Sequence, residues 1–342
     1  MIVRSRAPLR LGLAGGGTDV SPFSDQHGGH VMNVTIDRYA YATIDESANG
    51  MAEFHAMDAQ SSQVLEPGRM NIAGGPLQLA QGVYNRICEQ FLDGRYPPVR
   101  IRTYSDAPPG SGLGSSSTMV VALVTAFSDY FNLPLGEYEV AHLAYSIERN
   151  DLGLAGGKQD QYAAAFGGFN FMEFYAEDRV IVNPLRIKEW IWAELEASLI
   201  LYFTGVSRES AKIIDEQARN VREGRNQSLD AMFRLKEEAV QMKEALLRGD
   251  LNRFASVMQS GWEAKKKMAN SITNESIDRI EKLAFQHGAR ATKVSGAGGG
   301  GFMMFVCDPG DRLPLVRALS GTGGTVYDTH FTPHGASSWK IA

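Results

Sequence analysis

Hydrophobic and polar positions repeat with different periods along the chain, and each period predicts a different kind of element. Val31 to Ile44 and Val99 to Tyr104 alternate with a period of two, which predicts strands. The mostly apolar segment Thr118 to Phe131 predicts a buried helix. Between Gly136 and Arg149 apolar residues recur on one helical face, which predicts a second helix. A glycine-rich break, Gly153 to Gln161, separates it from a short helix and a strand.

The pattern changes near residue 185. One apolar strand, Ser198 to Gly205, is followed by a long tract from Ser207 to Phe285 with helical periods and few helix breakers. Short strands then return in ATKVSG, GFMMFVC and TVYDTHF. We therefore predict two domains, residues 1–185 and residues 186–342, because single cores seldom grow beyond about 250–300 residues.

Composition and charge narrow the classes of partner. Of the 342 residues 44% are hydrophobic and 21% are charged, and the formal net charge is −5. Because nucleic acids are held by clustered Lys and Arg, this acidic balance disfavours them as the main partner but allows small anionic ligands. The longest apolar run, Met119 to Phe127, is about half of a membrane span. With Cys88 and Cys307 expected as buried thiols in a reducing compartment, we expect a cytoplasmic protein that binds no membrane.

The segment PPGSGLGSSST, Pro108 to Thr118, predicts a phosphate-binding loop. Glycines let an anion approach the backbone N–H groups at a helix start, where the helix dipole favours negative charge. A tight turn with one serine N-cap would explain only part of this segment. It has neither the Lys-Ser/Thr ending of a Walker A loop nor the glycine spacing of the dinucleotide fingerprint. The nucleotide-binding residues expected here are Pro109, Gly110, Ser111, Gly112, Leu113, Gly114, Ser115, Ser116 and Ser117.

This segment resembles the central motif of the GHMP kinases, the family named for galactokinase, homoserine kinase, mevalonate kinase and phosphomevalonate kinase. APLRLGLAGGGTDV, Ala7 to Val20, and KVSGAGGGGFMMF, Lys293 to Phe305, resemble its first and third motifs, in the same order. The resemblance implies an α+β fold. A ribosomal-protein-like N-terminal domain would carry the nucleotide loop and a ferredoxin-like C-terminal domain the third motif, with the site in the cleft between them.

The resemblance also implies ATP- and Mg²⁺-dependent phosphoryl transfer with Asp160 as the catalytic aspartate. Asp160 would accept or orient the proton of the sugar hydroxyl, while Arg10 or Lys158 would offset phosphate charge. Read from the residues alone, Asp160 could instead cap the helix that follows it.

Glu148 and Ser116 match the metal-binding positions of the family. Ser115 or Ser117 would take the place of Ser116 if the register is shifted by one. Mg²⁺ prefers one or two carboxylates together with phosphate oxygens and water. The alternative is that Glu148 is a solvated charge paired with Arg149.

The expected acceptor is a sugar phosphate. AGGGTDV and the segments Gly156 to Phe174 and Thr204 to Ile213 resemble the branch of the family that phosphorylates the anomeric hydroxyl of D-glycero-D-manno-heptose 7-phosphate, for nucleotide-heptose and surface polysaccharide (lipopolysaccharide or capsule) synthesis. The implied substrate contacts are Gly16, Gly17, Thr18, Asp19 and Gly298. Arg208, with Lys212 as a second candidate, would bind the distal phosphate. An ordinary turn would explain Thr18 and Asp19, and a surface ion pair would explain Arg208.

The sequence supports three other functional hypotheses less well. A kinase for another sugar such as fucose shares all the motifs. A catalytically silent sensor of sugar and nucleotide is disfavoured, because it need not keep Glu148, Asp160, Arg10 and the serines together. A dehydrogenase lacks its glycine fingerprint. The sequence allows a homo-oligomer without indicating one.

Overall fold

The computed structural model describes residues 1–108, 110–206, 210–223 and 226–341. Pro109 and Arg208 lie outside these ranges, so their predicted roles stay predictions. The strands are β1 (Ile2–Ala14), β2 (Gly29–Glu46), β3 (Ala52–Ala56), β4 (Ser61–Leu65), β5 (Val99–Ser105), β6 (Phe169–Phe174), β7 (Val180–Pro184), β8 (Leu199–Phe203), β9 (Ala289–Val294), β10 (Phe302–Cys307), β11 (Thr325–Tyr327) and β12 (Ser337–Ile341). The α-helices are α1 (Phe23–His27), α2 (Gln78–Phe91), α3 (Ser115–Tyr130), α4 (Glu137–Ser146), α5 (Gln159–Phe166), α6 (Glu189–Ser198), α7 (Ser210–Arg222), α8 (Asn226–Arg248), α9 (Leu251–Lys266), α10 (Glu275–Gln286) and α11 (Arg312–Ser320). A π-helical turn (Ile147–Asp151) and two 3₁₀ turns (Asn270–Ile272 and Pro309–Asp311) complete the described set.

The first sheet contains eight strands among the described residues, and its continuous order is β12-β1-β2-β5-β3-β4. β2 is long enough to pair twice on one side: residues 29–34 pair with β6 and residues 40–46 pair with β5. β7 extends the sheet beyond β6. Helix α3 packs on β1 and β2 and is flanked by α2, α4 and α5, so almost its whole surface is buried. That environment explains why its sequence is apolar on all sides.

The second sheet is antiparallel, with the order β11-β8-β10-β9. It lies in the C-terminal half with α7 to α11. The last strand, β12, is different, because residues 337–341 cross back to pair with β1 in the first sheet. The predicted second domain, residues 186–342, therefore includes a segment that belongs to the first sheet. This pairing covers the edge of β1, whose N–H and C=O groups would otherwise be unpaired.

Hydrophobic side chains from both halves share one cluster. Leu11 and Val34 of the first sheet pack with Leu246 of α8, Phe254 of α9 and Met304 of β10, and all five are fully buried. Burying each such side chain contributes roughly 1.5–3 kcal/mol. The two halves are thus held against each other, and the site between them is set by a packed core.

The structure confirms most of the periodic segments and corrects several boundaries. β2 and β5 cover the two predicted strands. α3 begins at Ser115, three residues before the predicted start, so the serines form its first turn. The predicted helix from 136 to 149 leaves α-helical geometry at Ile147, and Glu148 lies in the π-helical turn. TVYDTHF is a strand only over its first three residues.

Cys88 and Cys307 are both buried and free, as expected. Burial raises the pKa of Cys88 to about 12, so this thiol is unreactive at neutral pH. Within the described ranges, no helix is long and apolar enough to cross a membrane.

Candidate active site

A cleft of about 600 Å³ lies between the two halves of the protein. The first half contributes the glycine–serine loop, Arg10, Asp19, Glu148 and Asp160 to its walls. The second half contributes residues of α7, α9 and the third glycine motif, among them Gln217, Lys265 and Gly296. Three segments that are far apart in the sequence therefore meet at one cavity.

The glycine–serine loop enters α3 at one end of this cleft. Gly110, Gly112, Gly114 and the three serines line the cleft. The N–H groups in the first turn of a helix have no partners within the helix, so they are available to an anion here. Ser111 and Leu113 are fully buried and do not line it. Their carbonyl groups accept hydrogen bonds from the N–H groups of Phe302 (2.9 Å) and Arg10 (3.2 Å), which hold the loop in place. Their nucleotide contact stays a prediction that this geometry does not support.

The central and third glycine motifs contact each other directly, backbone against backbone. Gly112 adopts a positive φ of 84°, and a Cβ at this position would overlap the carbonyl oxygen of Ser295. The hydroxyl of Ser295 donates to the carbonyl oxygen of Gly112 at 2.9 Å. Gly298, a predicted substrate contact, packs on the backbone of Ile272 and is not among the described residues that line the cleft. The third motif therefore supports the nucleotide loop from behind.

Arg10 and Asp160 form an ion pair in the cleft wall, in which Arg10 is buried and the Asp160 side chain is 22% exposed. The guanidinium Nε and Nη2 both lie 2.7 Å from Oδ1 of Asp160, and Nη1 donates to the carbonyl oxygen of Gly112 at 2.6 Å. The Asp160 carboxylate also lies close to the start of α3, because a Cβ on Gly114 would be 3.0 Å from Oδ2. Asp160 is the second residue of α5 and not its N-cap. The capping interpretation of Asp160 is thus wrong, and its carboxylate is free to face the cleft.

Asp19 performs that capping instead. Its Oδ2 accepts hydrogen bonds from the N–H groups of Lys158 (3.0 Å) and Gln159 (3.1 Å) at the start of α5. Gly157 makes this approach possible, because a Cβ there would overlap the Asp19 carboxylate. Burial is the main cause that raises the pKa of Asp19. One carboxylate thereby ties the first motif to the helix that carries Asp160, and it still lines the cleft.

Thr18 and Gly16 do not line the cleft, whereas Gly17 does. The Thr18 hydroxyl is completely buried, donates to the carbonyl groups of Gly15 and His30 at 2.8 Å, and accepts from the N–H of His30 at 3.1 Å. These contacts hold the Thr18 hydroxyl within the loop and away from the cleft, so its sugar contact stays a prediction that this geometry does not support.

Glu148 is buried at the cleft wall next to a serine hydroxyl. Gln161 donates from Nε2 both to Oε2 of Glu148 and to Oγ of Ser117, the latter at 3.0 Å. Burial raises the pKa of Glu148, against the weaker opposing effect of Arg149, whose Nη1 is 3.7 Å away. The solvated alternative for Glu148 is wrong. The hydroxyl beside it belongs to Ser117, the alternative register, and Ser116 is exposed one residue before it.

Lys158 points away from the cleft. Its buried ammonium group pairs with Asp178 at 2.8 Å and lies 3.7 Å from Asp25. Lys158 is not among the described residues that line the cleft, so its contact with phosphate stays a prediction that this geometry does not support. The two partner acids come from other segments of the chain, which is why the sequence motif alone did not reveal the pairing.

Lys265 is a cleft residue that the sequence analysis missed. Its side chain is 3% exposed, and its Nζ donates to the carbonyl oxygen of Gly296. A signal was present in the sequence: Phe254, Met258 and Trp262 recur every four residues on the buried face of α9, and Lys265 follows three residues later on that face. A lysine on an apolar stripe is costly to bury and therefore points to a site.

These features define a kinase of the GHMP type, and the comparisons show the family directly. Residues 78–168 match the family model of the GHMP kinases N-terminal domain, and residues 242–323 match that of the GHMP kinases C-terminal domain. The protein belongs to the GHMP kinase family and has its two-domain mixed α/β fold.

Individual relatives extend this result. The chain is 48% identical over 339 residues to the D-glycero-alpha-D-manno-heptose 7-phosphate kinase of Campylobacter jejuni, covering 99% of both proteins. The crystal structure of a D-glycero-D-manno-heptose 1-phosphate kinase from Bacteroides thetaiotaomicron is similar with a TM-score of 0.85 and 48% identity, again over 99% of both chains. The L-fucokinase/L-fucose-1-P guanylyltransferase of Bacteroides fragilis is 25% identical over 93% of this chain, which spans 36% of that protein.

Proposed function

We propose that this protein transfers the γ-phosphoryl group of ATP to the anomeric hydroxyl of D-glycero-D-manno-heptose 7-phosphate. The bond from the γ-phosphorus to the β–γ bridging oxygen breaks, a bond to the sugar oxygen forms, and the hydroxyl proton is released. The products are ADP and the 1,7-bisphosphate. The names of the two relatives at 48% identity support a phosphorylated heptose as the ligand.

The observation that carries the proposal is the position of Asp160. Its carboxylate lies beside the start of α3, where the N–H groups favour the phosphates of a nucleotide. Arg10 holds that carboxylate through two contacts of 2.7 Å. A hydroxyl group entering from the side of Asp19 would meet Asp160 next to the bound phosphates. Phosphoryl transfer requires such positioning more than it requires a strong base.

Mg²⁺ fits the residues at the cleft wall. Glu148 is buried and Ser117 supplies a hydroxyl beside it, so both would hold the ion together with phosphate oxygens and water. Among the described residues, no group of three or more His, Cys, Asp or Glu is arranged to hold a metal ion. When bound, Mg²⁺ neutralises charge on the phosphates.

Asp19 and Gly17 would contact the acceptor sugar. Oδ2 of Asp19 already accepts two backbone hydrogen bonds, but Oδ1 accepts one and retains capacity for a sugar hydroxyl group. Arg208 remains the residue that the sequence predicts for the distal phosphate. The supply of nucleotide-activated heptose for surface polysaccharide is the pathway role that we propose for the product.

The test is an acceptor panel with purified protein and ATP. It compares heptose 7-phosphate, heptose 1-phosphate, the same heptose without phosphate, and L-fucose, with and without Mg²⁺. We expect sugar-dependent ADP release to be fastest with heptose 7-phosphate and to require Mg²⁺, and phosphorus NMR should show a new anomeric phosphate. Preference for fucose or for heptose 1-phosphate would contradict the proposed acceptor. Sugar and nucleotide binding without ADP release would support a sensor instead.

A further inference from the structure

The cationic groups at the cleft differ in how many of their N–H donors are already used. Among the described residues that line it, Arg10, Arg149 and Lys265 are basic. The Arg10 guanidinium is occupied by Asp160 and by a backbone carbonyl group. Arg149 donates from Nη1 and Nη2 to two further backbone carbonyl groups, both at 3.2 Å. Arg10 therefore has its charge paired with Asp160, and Arg149, which uses two of its five N–H donors in this way, lies 3.7 Å from the Glu148 carboxylate.

Lys265 has no hydrogen-bonded carboxylate partner among the described residues. An ammonium group has three donors, and the Lys265 Nζ uses one of them on the carbonyl oxygen of Gly296. Asp19 and Asp160 act on it only through their charge, and no hydrogen bond joins either carboxylate to it within the described residues. Gly16 lies beside the amine without crowding it, since even a Cβ there would be in ordinary van der Waals contact, 3.7 Å from Nζ.

The buried ammonium group of Lys265 also lacks a bonded counter-ion. Burial and the charge of Arg10 lower the pKa of Lys265 to about 8. The neighbouring Lys293 is also buried and donates to the carbonyl oxygen of Leu13 at 2.9 Å, so it offers Lys265 no counter-charge. A buried ammonium group without a bonded counter-ion is costly. An anion in the cleft would supply the missing counter-charge.

We propose that Lys265 binds a phosphate group in the cleft, either the phosphate that the acceptor sugar already carries or the phosphoryl group in transfer. The geometry supports both sources, because Lys265 lies on the acceptor side near Asp19 and also near the Arg10–Asp160 pair. The inference rests on the proposed function, and it assigns the C-terminal half a direct contact with a reacting or recognised phosphate.

The test compares Lys265→Met and Lys265→Arg with the wild-type chain in steady-state kinetics. The acceptors are heptose 7-phosphate and the same heptose without its phosphate, or whichever pair of phosphorylated and free sugar the wild type uses. Lys267→Met is the matched control, because it removes the same charge from an exposed position two residues along. A circular-dichroism melt verifies that each variant is folded.

If the sugar phosphate is the ligand, Lys265→Met raises KM for the phosphorylated sugar at least tenfold and leaves KM for ATP and for the free sugar within twofold. If the transferred group is the ligand, kcat falls at least tenfold with both acceptors. Lys265→Arg recovers part of either loss. Kinetics within twofold of wild type for Lys265→Met, or an equal loss in Lys267→Met, would overturn the inference. A wild type that is inactive with heptose phosphates would instead contradict the proposed function.

Discussion

Replacing Lys265 by methionine should make the protein more stable at neutral pH while it impairs the site. In the folded chain the pKa of Lys265 is about 8, compared with 10.5 for an ordinary lysine. One pH unit of difference corresponds to 1.36 kcal/mol, so keeping this amine protonated in the fold costs about 3 kcal/mol at pH 7. The variant also loses the hydrogen bond to Gly296, which destabilises it by about 1 kcal/mol. The expected net increase in its unfolding free energy is therefore about 2 kcal/mol.

The sign of the pH dependence follows from proton binding. Between pH 8 and 10.5 the unfolded chain holds a proton on Lys265 that the folded chain has released, so wild-type stability rises with pH in this window. The cost of the lysine therefore shrinks to about 1 kcal/mol at pH 10, and the advantage of Lys265→Met should vanish there. The other charged groups that face the amine, Arg10, Asp19, Asp160 and Lys293, are present in both proteins.

Urea unfolding at pH 7 and at pH 10 measures the effect. The difference in unfolding free energy between variant and wild type should be positive at pH 7 and near zero at pH 10. Lys267→Met, which alters an exposed lysine, should stay within about 0.5 kcal/mol of wild type at both values. If Lys265→Met is less stable than wild type at pH 7, or if the difference does not change with pH, the amine is well compensated in the fold and the reasoning is wrong.

Three further changes test the rest of the site. Asp160→Asn should keep nucleotide affinity but lower kcat by about 100-fold or more, since it removes the group that orients the hydroxyl proton; near-normal turnover would refute that role. Glu148→Gln should weaken Mg²⁺-dependent nucleotide binding in a calorimetric titration and leave Mg²⁺-free binding unchanged. An unchanged Mg²⁺ requirement would exclude Glu148 as a ligand. Thr18→Val should lower the unfolding free energy by about 1–3 kcal/mol, because Gly15 and His30 lose their buried partner. A melting temperature equal to wild type would contradict this account.

The nucleotide loop was predictable because its requirements are local. Backbone N–H groups, glycines and hydroxyls must follow one another at a helix start, and all of them are visible in PPGSGLGSSST. The strands β2 and β5 and the helix α3 were predictable for the same reason, because the period of apolar residues reflects which face of each segment is buried. Three motifs in one order were enough to indicate the family and its fold.

Contacts between segments that are far apart in the chain could not be predicted from the sequence. Lys158 stands two residues before Asp160, yet it turns to Asp178 and Asp25, because a charged side chain follows whichever counter-ion the fold brings near. The return of β12 to the edge of β1 is a pairing over the full length of the chain.

From the sequence alone we predict a phosphate-binding loop and the segments that surround it. Which side chains lie in the cleft depends on tertiary packing. Tertiary packing buries the Thr18 hydroxyl against the carbonyl group of His30 and places the Asp19 carboxylate at the N-terminus of α5. It also brings Lys265 from the other half of the protein to the cleft. The physical reason is that a local pattern fixes the conformation and the buried face of a segment, whereas the partner of a polar group depends on where the other segments pack.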